Sequence, residues 1–310
     1  MAGTAWIDLL DPDEDELRKH VPDDIRPDAL QQLLRRASPE GDLRPSIKSH
    51  GNYILALALV AVAVPQEDRV FYQEVDFVLT RNRIVTVRKT PGAEPPFDPS
   101  SVRELCETHR GELPPGVIAY YVVDEIAERY LDLLDDINAE IDELEEHVDQ
   151  WPAEKARRRI SDIRHDLLHI RKTLTPTRDA VREIVDGRVD LEGRTPFTRE
   201  AFPKEVERQF ATTYDKLLRA TEGIEYARDL LAAVRDYQQA RVAIDQNDVM
   251  KRLTAIASIV LFPTFVVGVY GQNFDHMPEL HWRLGYAFSW SVILVSTIFQ
   301  LIFFRWKRWI

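Results

Sequence analysis

The chain is poor in the residues that enzymes and metal proteins usually display. It holds one cysteine, Cys106, in 310 residues. A single thiol forms no disulfide within the chain and matches no zinc spacing. It suits a reducing compartment. Glycine is scarce, at 12 residues, and is nowhere arranged as a phosphate-cradling loop. No nucleophile elbow or metal-hydrolase motif is present either. The expectation is a protein that is not an enzyme and carries no cofactor; a membrane-anchored cytoplasmic sensor or enzyme is kept as the alternative of another class. Positive charge is in deficit: 40 Lys and Arg face 52 Asp and Glu, a net charge of −12. That balance argues against nucleic acid as a partner, because the phosphates would be repelled. The amino terminus, MAGTAWIDLLDPDEDE, has neither the basic start nor the apolar core of a secretory signal. The soluble part is therefore expected in the cytoplasm.

The deficit is not uniform. Residues 251–310 hold Lys251, Arg252, Arg283, Arg305, Lys307 and Arg308 against Asp275 and Glu279, so this tail is +4 and residues 1–250 carry −16. An acidic soluble part precedes a mildly basic, hydrophobic end. Acidic balance is compatible with a protein that meets cations, although on its own it means only solubility.

Residues 1–112 read as a small α/β domain. Residues 71–79 and 84–87 are rich in β-branched and aromatic residues, and Arg81-Asn82-Arg83 lies between them like a hairpin turn. A proline-rich connection over 91–99 leads into a helix over 102–109. Residues 113–251 read as a helical hairpin followed by a long stalk helix. Residues 132–149 hold nine acids and no Lys or Arg, whereas 155–172 carry seven bases beside Asp162 and Asp166. Helices of opposite charge joined by a Pro-containing turn should pair antiparallel. The surface ion pairs they form are each worth about 0–1 kcal/mol; a sharper reading has the acidic face also attract cations. After a break over 187–203, helix is predicted over 204–270, about 100 Å at 1.5 Å per residue. That exceeds a compact domain and suggests a stalk entering a membrane.

Residues 252–310 read as a two-helix transmembrane domain. Segments 253–270 and 284–304 contain no charged residue, and each matches the ~30 Å hydrocarbon core. Lys251-Arg252 precede the first; Arg305, Lys307 and Arg308 follow the second. A hairpin puts both basic clusters on one side, which the positive-inside rule makes the cytoplasm. Trp282 and Tyr286 on the far side, with Trp306 and Trp309 on the near side, fit aromatic belts.

The first span carries a second pattern. Alternating steps of four and three link Asp236, Ala240, Ala243, Asn247, Met250, Thr254, Ala257, Leu261, Thr264, Gly268 and Gly271. A seven-residue repeat is the signature of helices supercoiled side by side. These members are small or weakly polar, which lets helix backbones approach closely. They would line a narrow, partly wettable pore or form a close helix interface in a dimer; spacing alone leaves both open. Pro263 lies inside the span, where neighbouring groups can compensate for its missing N–H.

The connecting loop resolves the choice by resemblance. Tyr270-Gly271-Gln272-Asn273-Phe274, then Met277-Pro278-Glu279-Leu280 and Trp282, resembles the CorA family of magnesium and cobalt transporters, whose hallmark is Gly-Met-Asn in the setting Tyr-Gly-Met-Asn-Phe. Asn247-Asp248-Val249-Met250-Lys251 and Leu253-Thr254 are similar to that family as well. The close similarity covers residues 235–310 and the rest in outline. It implies an α+β membrane protein: a homopentameric funnel in the cell (inner) membrane, multi-pass, with both termini cytoplasmic. Its partners would be further copies of itself, the lipid bilayer and divalent cations. The cargo would be Mg2+, with Co2+ or Ni2+ as further ions. By position, Asn273 forms the entrance ring with Gly271 and Gln272 beside it. Gly268, Thr264, Leu261 and Ala257 form the inner wall. Leu253, Met250 and Asn247 form the cytoplasmic constriction, and Asp236 lies further down the stalk. A hydrated Mg2+ would be held by Asn273 carboxamides through its waters. Asp275 and Glu279 would add a diffuse negative field, or be solvated loop charge.

Two departures matter. Gln272 stands where the family has Met, and either faces the axis with a second amide or bonds to the loop backbone. The family also binds regulatory Mg2+ between subunits through acidic side chains. One such position falls on Thr212, leaving Asp98 and Asp215 as the acidic candidates. His276 and His281 flank the entrance and favour softer ions, so a zinc-transporting relative of the same architecture is the runner-up; Met277-Pro278-Glu279-Leu280 favours magnesium. His165 and His169, four apart on one helix, offer two zinc ligands with no third evident nearby, and read as a surface pair.

Overall fold

The computed structural model describes residues 5–37, 43–64, 69–109, 113–191, 201–272 and 277–310. These divide into two compact units, Met1–Arg235 and Asp236–Ile310.

The first unit is built on a five-stranded sheet: β1 (Ala5–Leu10), β2 (Ser46–Ser49), β3 (Ile54–Val64), β4 (Arg69–Leu79) and β5 (Arg83–Lys89), in the order β1-β5-β4-β3-β2. The pairs β2·β3, β3·β4 and β4·β5 are antiparallel, and β1 lies parallel to β5 with Trp6 opposite Ile84. The turn expected at Arg81-Asn82-Arg83 is present. Thr80 N–H donates to the Arg83 carbonyl at 2.8 Å, and Arg83 already starts β5.

Alternate side chains of each strand enter different layers, as the two-residue period requires. One face buries Leu9, Leu55, Val78, Val85 and Val87 with Leu17 of α1 (Glu14–Arg18) and Leu30 and Leu33 of α2 (Pro27–Leu34). The other buries Ile54, Ala58, Phe77, Leu79 and Ile84 against the long helices. Those are α3 (Ser100–Thr108), α4 (Pro115–His147), α5 (Ala153–Val185) and the start of α6 (Lys204–Tyr270). The oppositely charged α4 and α5 are held by an apolar seam that includes Ile137, Ile141, Leu144, Ile160, Ile163 and Leu167. The Arg159–Glu140 ion pair at 2.9 Å sits at its edge. Two glycines permit close approaches. A Cβ on Gly223 of α6 would lie 2.2 Å from Leu134 Cδ2, and one on Gly116 would lie 2.1 Å from the Ala201 carbonyl oxygen.

Charge is also used inside. Lys89 is 1% exposed and its Nζ bridges Glu74 at 2.5 Å and Asp76 at 2.7 Å. It also donates to the Gln32 carbonyl at 2.8 Å, while Gln32 Nε2 donates to Asp76 at 2.7 Å and Arg35 pairs with Glu74 at 2.9 Å. These bonds join α2 to the sheet. Burial pushes the Asp76 carboxyl upward, Lys89 pulls it back and Glu74 adds to the rise.

The second unit contains the rest of α6, a short 3-10 helix (Pro278–His281) and α7 (Gly285–Trp306). Helix α6 runs over the 67 residues expected. Its apolar face packs through Val206, Phe210, Leu217, Ala220, Ile224, Ala227, Leu231 and Val234, and then stops.

Candidate ion-conduction site

Among the described residues two helices are long and apolar enough to cross a membrane, α6 and α7. Of their most apolar stretches only 11% and 6% are buried. A core helix of a soluble domain hides such surface. Here Leu261, Phe265, Val295 and Phe299 stand 65–69% exposed.

All eleven members of the α6 repeat, from Asp236 to Gly271, are exposed. In this unit burial on α6 falls on Gln238, Ala255 and Val266. At about 100° per residue, Ala255 and Val266 lie within ~20° of each other, and Thr264 lies ~180° from Ala255. From Met250 to Gly271 the stripe therefore keeps ~100–180° away from Ala255, whereas Asn247 and Ala240 lie ~80° and ~60° from it. From Asn247 to Gly271 it has no charge. Where Gly268 lies, a Cβ would meet nothing within 4 Å.

The hydroxyls on this stripe are polarised one way. Thr264 Oγ1 donates to the Val260 carbonyl and Thr254 Oγ1 to the Met250 carbonyl, both at 2.8 Å. Each proton is committed to the helix backbone, so the exposed lone pairs remain to accept. An acceptor-only surface suits the water shell of a cation.

Helix α6 ends at Gly271-Gln272 in a defined way. Gly271 N–H donates to the Val267 carbonyl at 2.9 Å, and Gln272 N–H to the Val269 carbonyl at 3.3 Å. Gly271 is not left-handed; positive φ among the described glycines occurs at Gly51, Gly92 and Gly187. What Gly271 avoids is a Cβ 3.2 Å from the Val267 carbonyl oxygen. Gln272 is exposed. Asn273, Asp275 and His276 lie outside the described residues. Glu279 is half-buried in the 3-10 helix, where its carbonyl accepts from Trp282 N–H at 3.3 Å. Gly285, which the sequence reading passed over, is needed here: a Cβ would sit 2.2 Å from the Glu279 carbonyl oxygen. The only forewarning was a glycine at the first position of an apolar span.

The acidic regulatory candidates lie in the first unit. Asp98 is exposed, and its carboxylate accepts from Ser100 N–H at 3.1 Å and Ser100 Oγ at 2.9 Å. Those bonds hold its pKa below the usual carboxylate value. Asp215 and Thr212 are exposed on α6. Among the described residues no three His, Cys, Asp or Glu side chains converge as a metal site.

A sheet-and-helix unit, a long helix whose end is an apolar span and a second span after a Gly-Gln-Asn loop define a two-span membrane protein. The particular family follows from comparison with known proteins. The family model described as CorA-like Mg2+ transporter protein matches residues 1–308, and the chain belongs to the CorA family. It is 28% identical to the cobalt/magnesium transport protein CorA of Thermotoga maritima, over 99% of this chain and 83% of that one. It is 38% identical to the magnesium transport protein CorA of Helicobacter pylori over 71 residues, covering 23% of this chain and 22% of that one. Among solved structures, the complete CorA magnesium transporter from Methanocaldococcus jannaschii matches with a TM-score of 0.78 at 21% identity, over 98% of this chain and 91% of that one. The ZntB cytoplasmic domain from Vibrio parahaemolyticus matches with a TM-score of 0.58 at 15% identity, over 78% of this chain and 89% of that one.

Proposed function

We propose that this chain is a homopentameric Mg2+ channel of the cell (inner) membrane that also passes Co2+, with α6 lining the path and both termini in the cytoplasm. The observation that carries the reading is the exposed, uncharged stripe of α6 that from Met250 to Gly271 faces away from the buried Ala255 and Val266. Lipid covers hydroxyl and amide groups poorly. Further copies of α6 cover them well, because small residues permit close packing. Gly268, Thr264, Leu261 and Ala257 then form the wall, and Leu253, Met250 and Asn247 the inner constriction above Asp236. The relatives named for magnesium and cobalt transport support the cargo. The likeness to the ZntB domain is one of fold alone.

Mg2+ sheds water reluctantly. A neutral path with acceptor oxygens lets it pass with its shell held by weak, repeated hydrogen bonds, which permits both entry and exit. Asn273 supplies the entrance ring, Gln272 a second amide beside it, and Asp275 and Glu279 concentrate cations at the mouth. Asp98 and Asp215 are the candidates for Mg2+ held between neighbouring copies in the closed state, which they favour only by binding it more tightly there.

Divalent uptake into liposomes tests this reading. Purified protein should admit Mg2+ above protein-free vesicles. Replacing Gln272 by Met removes about one outer-shell hydrogen bond of roughly 1 kcal/mol per copy. Because Met is the family's own residue at this position, the Gln272→Met variant should keep Mg2+ uptake while the ratio of Mg2+ to Ni2+ uptake shifts by roughly fivefold or more. An unchanged ratio would make Gln272 structural; no Mg2+ uptake by wild type would overturn the function.

A further inference from the structure

One side-chain cluster in the first unit has no part in conduction. On α5, one turn apart, His165 and His169 bring their Nε2 atoms to 3.0 Å. Their ring centroids are 4.2 Å apart. His169 Nδ1 lies 2.5 Å from the Tyr72 hydroxyl on β4, and His165 Nδ1 lies 4.0 Å from Asp166 Oδ1. Each ring turns its δ nitrogen to an oxygen and its ε nitrogen to the other ring. The His165 side chain is 52% exposed.

Two ligands held ~2.0–2.1 Å from one ion lie about 2.9 Å apart at a right angle and about 3.3 Å apart in a tetrahedron. The observed 3.0 Å falls in that window. Tyr72 supplies what a ligating imidazole needs on its other side. Its hydroxyl, accepting from His169 Nδ1–H, fixes the tautomer whose Nε2 carries the lone pair. In the other arrangement the hydroxyl donates, and His169 Nε2–H donates to His165; an ion would select the first. Burial holds Tyr72 protonated, with its pKa raised to about 12. Burial, His165 and Lys172 lower that of His169.

We propose that His165 and His169, oriented by Tyr72, form a two-imidazole site for a borderline-soft divalent ion such as Ni2+, Zn2+ or Co2+. Water completes the shell, since no third protein ligand converges among the described residues. Imidazole nitrogen favours these ions, and the hard, oxygen-seeking Mg2+ does not compete. Because Tyr72 belongs to β4 and the imidazoles to α5, an occupied site fastens α5 to the sheet. The inference does not depend on the proposed cargo.

The test is calorimetric titration of Ni2+ into metal-free, full-length protein in millimolar Mg2+, which saturates oxygen-donor sites. Wild type should bind one Ni2+ per chain more than His165→Gln, whose replaced side chain is half-exposed and leaves the fold intact. Tyr72→Phe should bind at least about tenfold more weakly. Mg2+ uptake should be equal in wild type and His165→Gln. Identical Ni2+ isotherms for wild type and a His165→Gln protein with an unchanged metal-free melting temperature would overturn the site. An unchanged affinity in Tyr72→Phe would overturn the role of Tyr72.

Discussion

Asn273→Ala should lower Mg2+ uptake into liposomes by more than tenfold while leaving the oligomeric mass in detergent unchanged. The residue follows Gln272, where α6 ends with two backbone hydrogen bonds onto its last turn. In the ring of copies proposed above, its carboxamides would meet at the mouth. Each outer-shell hydrogen bond to a hydrated ion is worth roughly 1 kcal/mol net. Losing several at once exceeds the 1.4 kcal/mol that makes a factor of ten. Undiminished uptake in a correctly assembled variant would remove Asn273 from the conducting path.

Lys89→Met should destabilise the soluble unit by about 3–5 kcal/mol, the usual cost of stranding a buried charge. In thermal unfolding this is a drop on the order of 10 °C. Glu74 keeps Arg35 as a partner, but Asp76, fully buried, keeps only Gln32. Without the Lys89 ammonium, burial and Glu74 raise the Asp76 carboxyl still further. A carboxyl whose pKa is raised on folding binds more protons in the folded state, so it costs stability as pH rises through that window. The deficit of Lys89→Met should therefore be largest near neutral pH and shrink as pH falls toward 5. Equal deficits at both pH values would show that lost packing, not charge, is responsible.

The sequence exposed most clearly what is long and periodic. The bounds of α6, Lys204–Tyr270, follow from an unbroken helical pattern between Pro203 and Gly271 that tolerates one proline, Pro263. The β4–β5 hairpin follows from two β-branched runs around Arg81-Asn82. Short polar elements were not legible. Strand β2 spans four residues and α1 five, too few for a period to register. The parallel pairing of β1 with β5 is a long-range choice that no local pattern encodes. Pro176 stands inside α5, where a proline ordinarily argues for a boundary. The buried Glu74, Asp76 and Lys89 look like surface charges in sequence, because only the folded sheet brings β4 and β5 together on one face.

The candidate site divides in the same way. The repeat from Asp236 to Gly271 was visible as spacing, and the fold adds that its part from Met250 to Gly271 faces away from the buried Ala255 and Val266. The acceptor-only bias of Thr254 and Thr264 needed the hydrogen bonds. Tyr72 was invisible as a partner of His169, since 97 residues separate them.

Cysteine accessibility during transport measures the central claim most directly. In a Cys106→Ser background, Thr264→Cys places a thiol on the stripe, and Val295→Cys places one on α7. A positively charged thiol reagent should stop Mg2+ uptake through Thr264→Cys and leave Val295→Cys unaffected. Block at Val295→Cys with none at Thr264→Cys would contradict a path lined by α6.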